Sequence, residues 1–260
     1  RTMVYVLGQH DYPPFAATLL GEAVVATLLV GAILKTAGST TLQARSEGPV
    51  RLLMTEATHE HAVRGLLQLD PGAAPPRGLP LEGRSATLAI TLTPRKGQRY
   101  QGIVPLEKPT LAACIEDYFL QSEQLPTRLW IFCHGQRWGG LLLQAMPGPS
   151  ESLADEVWQH VVTLAHTITA EELLELSPET VLHRLFHEER VSVLGTAPVR
   201  FACTCSEERT REAIVALGET EARAILADHG RIETICQFCG HVYRFEPAQI
   251  DRLFAPPERH

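Results

Sequence analysis

The chain carries little of the usual equipment for enzyme chemistry. Its 260 residues contain no H-E-x-x-H, no G-x-x-x-x-G-K-[ST] and no G-x-G-x-x-G. The motif routes to zinc-dependent hydrolysis, phosphate-loop binding and dinucleotide binding are therefore missing. No nucleophile–base pairing stands out beyond the cysteines, and no enzymatic activity is expected. "THEH" (58–61) reads as a solvated turn, and Gly139-Gly140 in "RWGGLL" as a strand irregularity. Positive charge is also short: the net charge of −7 argues against a nucleic-acid surface. No secretory signal is visible. Only one long apolar run occurs, Phe15 to Leu34, and it is interrupted by Glu22 and built largely from Ala, Gly, Val, Leu and Thr. It has no stop-transfer flank, and Pro13 and Pro14 suit the first turn of a helix. A buried core helix is expected, and no membrane span.

What remains is the composition of a globular protein, 45% hydrophobic and 20% charged. Charge divides the chain: residues 151–200 carry net −6, residues 201–260 net −3, and residues 1–150 about +2. Behind the apolar helix come the β-type runs "TTLQARS", "VRLLMTEA" and "AVRGLLQL", the first two separated by Glu47-Gly48-Pro49. "PGAAPPRGLP" (71–80) reads as a solvated loop, and "SATLAITLTP" with "QRYQGIVPLE" as another strand pair. "TLAACIEDYFLQSEQ" (110–124) has helical spacing, and "TRLWIFC" with "WGGLLLQAM" forms a hairpin around His134-Gly135. Short turns between neighbouring strands imply an α+β fold, largely antiparallel, with helices packed over it. Residues 1–149 are expected to form this core domain.

Residues 150–202 read as a helical connector. "SLADEVWQHVVTLAHTI" places Leu153, Val157, Val161 and Leu164 on one stripe. Thr169 and Glu172 form a capping box, while Ser177 and Pro178 open another helix. Such short helices depend on tertiary packing rather than on propensity. In residues 203–260, Ser206 is expected to cap a helix ended by Gly218, and Thr220 another ended by Gly230. "RIETI" and "HVYRF" read as strands with "CQFCG" at their turn, and Pro247 opens a last helix. Large apolar residues are too few there to hold a small domain unaided.

Four of the six cysteines fall in this segment, as Cys203-Thr-Cys205 and Cys236-Gln-Phe-Cys239, with thirty residues between the pairs. Four thiolates suit tetrahedral zinc: a C-x-x-C on a turn aims two sulfurs at one ion, and alternate residues of an extended segment supply two more. Structural zinc supplies roughly 10 kcal/mol or more of apparent folding energy, enough to organise such a unit. Two permanent disulfides would suit a secreted chain, and a thioredoxin-like site would want its C-x-x-C in a βα context. A constitutive zinc module in a protein-binding protein, without redox control, is the main rival class. Each pair could also close as a local disulfide once the metal leaves, and an i, i+2 bridge is tight and easily reduced. The motif therefore suits a reversible folding switch. Cys114 and Cys133 sit in apolar surroundings and read as buried thiols.

The C-x-C-x30-C-x-x-C pattern within "CTCSEERTREAIVALG" and "GRIETICQFCGHVYRF" resembles the redox-switch domain of the heat shock protein 33 family of chaperones. The resemblance extends to "HDYPP…LLGEA" (10–23), "LQARSEGPVRLLMTE" (42–56), "YFLQSEQLPTRLW" (118–130) and "VLHRLFHEE" (181–189). Family members carry a longer stretch before the "HDYPP" block, so upstream residues are expected. The resemblance implies a cytoplasmic, ATP-independent holdase. Its reduced form would be inactive, with one Zn2+ per chain on Cys203, Cys205, Cys236 and Cys239. Oxidation would join Cys203 to Cys205 and Cys236 to Cys239, release zinc, and unfold the switch and connector. The active form would be a homodimer that binds unfolding client proteins and passes them to the 70-kDa heat shock chaperone system. Within the connector, Leu173, Leu174, Leu182, Leu185 and Phe186 are the candidate client-binding residues.

Overall fold

The computed structural model describes residues 2–33, 37–73, 76, 78–146 and 151–255, with no side-chain description for 151–154. Leu34, Leu153 and part of the 71–80 loop therefore lie outside the described residues or side chains. Two compact units are formed, Arg1–Phe201 and Ala202–His260. The first runs through α1 (Thr2–Leu7), α2 (Pro14–Ile33), β1 (Gly38–Arg45), β2 (Val50–Thr58), β3 (Ala62–Leu69), β4 (Thr87–Pro94) and β5 (Tyr100–Pro105). It continues through α3 (Leu111–Tyr118), β6 (Thr127–His134), β7 (Arg137–Gln144), α4 (Glu151–Ala165), α5 (Ala170–Glu175), α6 (Pro178–Phe186) and β8 (Arg200–Phe201).

A six-stranded sheet is ordered β5-β4-β1-β2-β3-β8. Every neighbouring pair in it is antiparallel except β3–β8, where Ala62 and Val63 lie beside Arg200 and Phe201 in parallel. That short parallel strand has no counterpart in the sequence reading. The β1–β2 turn at Glu47-Gly48-Pro49 is set by Ser46, whose hydroxyl accepts from the Gly48 amide and donates to the Val50 carbonyl. Along β2, Val50, Leu53, Thr55 and Ala57 are buried, so one face turns to the core.

Over that face lies α2, buried on several sides, as its uniformly apolar sequence requires. By length and composition alone it could cross a membrane. Its packing is that of a core helix: Leu19, Leu20, Ala23, Val24 and Val30 join the main core. Thr27 bonds back to the Ala23 carbonyl and meets the buried Thr55 hydroxyl at 2.5 Å, tying helix to strand. The expected helix over 110–124 begins at Thr110, which caps α3 by accepting from the Ala113 amide. It ends in a π-helical turn, Phe119–Glu123, and a left-handed Gln124.

β6 and β7 form their own two-stranded sheet rather than joining the main one. Their apolar runs serve two faces. Leu129, Ile131 and Leu142 pack with the main core, while Trp130, Phe132, Leu141 and Leu143 join a second cluster with residues of α4, α5 and α6. A continuous apolar run is what a strand buried on both sides requires. Gly139 and Gly140 pair in register with Phe132 and Ile131, so the expected irregularity is absent. Close approach explains these glycines instead. A Cβ on Gly139 would stand 2.9 Å from Leu174 Cδ2, and one on Gly140 2.7 Å from Val25 Cγ1.

The second unit contains α7 (Glu207–Leu217), α8 (Glu219–His229), β9 (Ile232–Ile235), β10 (Val242–Phe245) and α9 (Pro247–Leu253). Ser206 caps α7 by accepting from the Arg209 amide. Thr220 does not cap α8: the cap lies two residues earlier, at Gly218, which closes α7 and opens α8. The buried core here consists of Ile214, Ala222, Ile232, Phe245 and Ile250.

Candidate metal centre

The C-x-x-C pair is positioned by the β9–β10 hairpin, whose register pairs Ile235 with Val242. The Cys236 amide donates to the His241 carbonyl at 2.9 Å, and the Gly240 amide donates to the Cys236 carbonyl at 2.8 Å. The turn is thereby wound tightly enough to bring both sulfurs to one side. The C-x-C pair lies in the irregular stretch between β8 and α7. Between its cysteines, Thr204 is held by Arg209, whose guanidinium donates to the Thr204 carbonyl and hydroxyl at 3.0 Å each.

All four sulfurs lie within 4.8 Å of one another and are half-buried. Across the pairs, Cys203 lies 3.7 Å from Cys236 and Cys205 lies 3.5 Å from Cys239. The Tyr243 hydroxyl donates to Cys205 Sγ at 3.1 Å, and its ring meets that of His241 edge-on at 4.5 Å. Burial pushes the Cys236 thiol up, against the opposing pull of the Phe238 and Cys239 amides. Burial likewise pushes Cys239 up to about 12, opposed by the His241 amide. The bond to Cys205, followed by burial, pushes the Tyr243 phenol up to about 12, so it remains a donor at neutral pH.

These sulfurs could hold a metal ion. Four converging donors, all soft and all able to deprotonate, fit a thiophilic divalent cation in tetrahedral coordination. Such an ion would be bound by the deprotonated sulfurs, so its binding would release protons. Cys114 and Cys133 lie outside this cluster; Cys114 is fully buried, and burial raises both thiols.

The connector candidates are brought together elsewhere. Leu185 and Phe186 are buried, and Leu173 and Leu182 pack around them against the outer face of β6–β7. Leu174 is half-buried over Gly139. The expected α4 stripe is rotated: Val161 and Leu164 pack inward, but Val157 is 59% exposed while Val162 and Ala165 are buried. The hairpin wall selects the stripe, and spacing alone did not show which neighbour α4 would meet. "THEH" is an exposed turn in which Glu60 receives Arg95 and Arg200 at 3.1 Å each. Two features escaped the sequence reading. The hairpin's outer face was signalled by its unbroken apolar runs. Tyr243 carried no signal beyond lying four residues past Cys239.

A cluster of four thiols in a small unit of its own is compatible with a thiol-switch or structural-metal class of protein. Comparison with known sequences narrows that class. The family model described as "Hsp33 protein" matches residues 1–246, and the chain belongs to the Hsp33 family. A 33 kDa chaperonin of Hahella chejuensis is 49% identical over 262 residues, covering 100% of this chain and 92% of that protein. One of Pseudomonas fluorescens is 46% identical over 260 residues, covering 98% and 87%. The fold is that of the 33 kDa chaperonin of Thermotoga maritima, whose crystal structure matches with a TM-score of 0.79 at 23% identity, covering 97% of this chain and 89% of that one. Family membership supports a chaperone role.

Proposed function

We propose that the chain is a redox-regulated, ATP-independent holdase, active when oxidised and inactive when reduced. The observation that supports this reading is the convergence of Cys203, Cys205, Cys236 and Cys239 within 4.8 Å in a unit whose described residues place five in the buried core. In the reduced form the four thiolates would hold one Zn2+, which supplies the cross-link that the small core lacks. Residues 203–260 are the switch and residues 150–202 the metastable connector.

Each peroxide molecule takes two electrons from one thiol pair. One S–S bond forms, the O–O bond breaks, and two water molecules result once protons are supplied. The resulting bridges are Cys203–Cys205 and Cys236–Cys239. Forming these bridges gives up the cross-pair contacts Cys203–Cys236 and Cys205–Cys239. The switch then unfolds and, through the continuous chain, loosens the connector. Leu173, Leu174, Leu182, Leu185 and Phe186 leave the hairpin wall and become client-binding surface. The acidic residues of the connector keep it soluble when open. The oxidised form is a homodimer in the cytoplasm that binds unfolding proteins, and reduction passes them to the 70-kDa heat shock chaperone system. No enzymatic step, nucleic acid or membrane enters this reading.

The test is zinc stoichiometry and thiol count before and after peroxide, with light scattering of an unfolding client followed in parallel. One zinc and four oxidisable thiols lost together, as client aggregation becomes suppressed, is the expected result. Zinc release without holdase activity would mark a structural zinc module instead.

A further inference from the structure

We propose that Tyr243 is a positioning residue of the thiol cluster, its hydroxyl holding Cys205 and setting how readily the C-x-C pair is oxidised. The inference rests on the zinc-switch reading above. The two pairs are held by different means. Backbone amides of the C-x-x-C turn serve its own sulfurs: Phe238 and Cys239 serve Cys236, and His241 serves Cys239. Those donors belong to the winding of the turn and no side-chain substitution removes them. The Cys205 sulfur meets the Cys239 sulfur at 3.5 Å and also receives a side-chain hydroxyl from another element, that of Tyr243 at 3.1 Å. That hydroxyl is well aimed. Tyr243 lies on β10 opposite Thr234, its ring packs against the small core, and the His241 ring braces it at 4.5 Å.

A hydrogen bond to a thiolate draws electron density from the sulfur. It steadies the ligand in the metal-bound state and makes the sulfur a poorer nucleophile toward peroxide. Outer partners of this kind typically contribute about 10- to 100-fold in metal affinity. In the oxidation step, the Cys205 thiolate attacks one peroxide oxygen, so an S–O bond forms, the O–O bond breaks and hydroxide leaves. The Cys203 thiolate then attacks that sulfur, forming the S–S bond and expelling the second hydroxide. Two electrons pass from the sulfur pair to one peroxide, and the two hydroxides become water on protonation. The Tyr243 bond restrains the first of these attacks.

The test uses the full chain loaded with zinc, comparing wild type with Tyr243→Phe, which keeps the ring and removes the donor. Zinc affinity is read by competition with a chromogenic chelator. The order of disulfide formation under peroxide is read by alkylation and mass spectrometry. The expected result is about tenfold weaker zinc binding, with Cys203–Cys205 forming earlier relative to Cys236–Cys239. A merely structural role would speed both pairs equally, and that outcome, or no change in either measurement, overturns the proposal. Should Tyr243→Phe fail to load zinc, His241→Ala keeps the hydroxyl but unbraces its ring. It should then shift the order in the same direction by a smaller factor, and an unchanged order overturns the proposal. Wild type that binds no zinc, or keeps it under peroxide, would overturn the switch reading and this inference with it. Normal wild-type switching with an indistinguishable Tyr243→Phe overturns this inference alone.

Discussion

Two glycines show how single residues set the spacing of the first unit's layers. A Cβ on Gly21 would stand 2.1–2.5 Å from the Trp138 indole, which lies against α2. Neither the helix backbone nor a large, half-buried ring can yield cheaply. Gly21→Ala should therefore cost about 1–3 kcal/mol as an overpacking substitution, seen as a lower melting temperature. Gly139 faces the connector, and the nearest atom is Leu174 Cδ2, the end of a flexible side chain. Gly139→Ala should leave the main melting transition in place while raising hydrogen exchange across residues 170–186. Equal exchange in the two proteins would mean that the connector does not depend on this contact. The cysteines were legible in the sequence because their chemistry travels with residue identity and spacing. Gly21, Gly139 and Tyr243 were not, because each matters through a neighbour distant in the chain.

The elements divide along similar lines. Local signals were readable: Thr169 and Glu172 do form the capping box, and Ser177 caps α6 with Pro178 at its first position. Signals that depend on competing partners were not. Gly218 displaced Thr220 at the start of α8, and the hairpin wall turned a different stripe of α4 inward. The capping box has consequences for stability because α5 is a six-residue helix with no fully buried side chain of its own. The Thr169 backbone amide, then its hydroxyl, bonds the Glu172 carboxylate and holds its pKa below the usual carboxylate value, and Arg184 adds to this from α6. A carboxyl depressed in the folded state stabilises it above the unfolded pKa, and that contribution is lost as pH falls through the folded pKa. The connector should thus loosen on acidification below the ordinary carboxylate range, and Glu172→Gln should flatten this response. Thr169→Ala removes the cap at a cost of about 1 kcal/mol. It should raise hydrogen exchange over residues 170–186 in the reduced protein at neutral pH. Unchanged exchange in Thr169→Ala would show that the hairpin wall alone holds the connector.

At the scale of the molecule, the two units are stabilised differently. The first buries α2 between a six-stranded sheet and a hairpin, with more than twenty buried residues in one cluster. The second arranges three short helices and a hairpin around Ile214, Ala222, Ile232, Phe245 and Ile250. Its ion pairs, such as Arg223 with Glu219 and Asp251, join side chains that are about half exposed, and such pairs contribute little. An ion on the four sulfurs would cross-link the segment before α7 to the β9–β10 turn, closing a loop of about thirty residues around α7 and α8. Structural zinc contributes roughly 10 kcal/mol or more of apparent folding energy in small domains, more than a core of this size supplies in surplus. Removing the ion with a strong chelator, in the presence of reductant so that no disulfide can form, should therefore unfold one unit selectively. Hydrogen exchange read by mass spectrometry should show protection collapsing across residues 202–255, while β1 to β5 and α2 stay protected. Adding zinc back should restore it. Protection of α7, α8 and the β9–β10 hairpin that survives chelation would mean that this unit folds without a metal. In that case, loss of an ion could not drive the proposed switch.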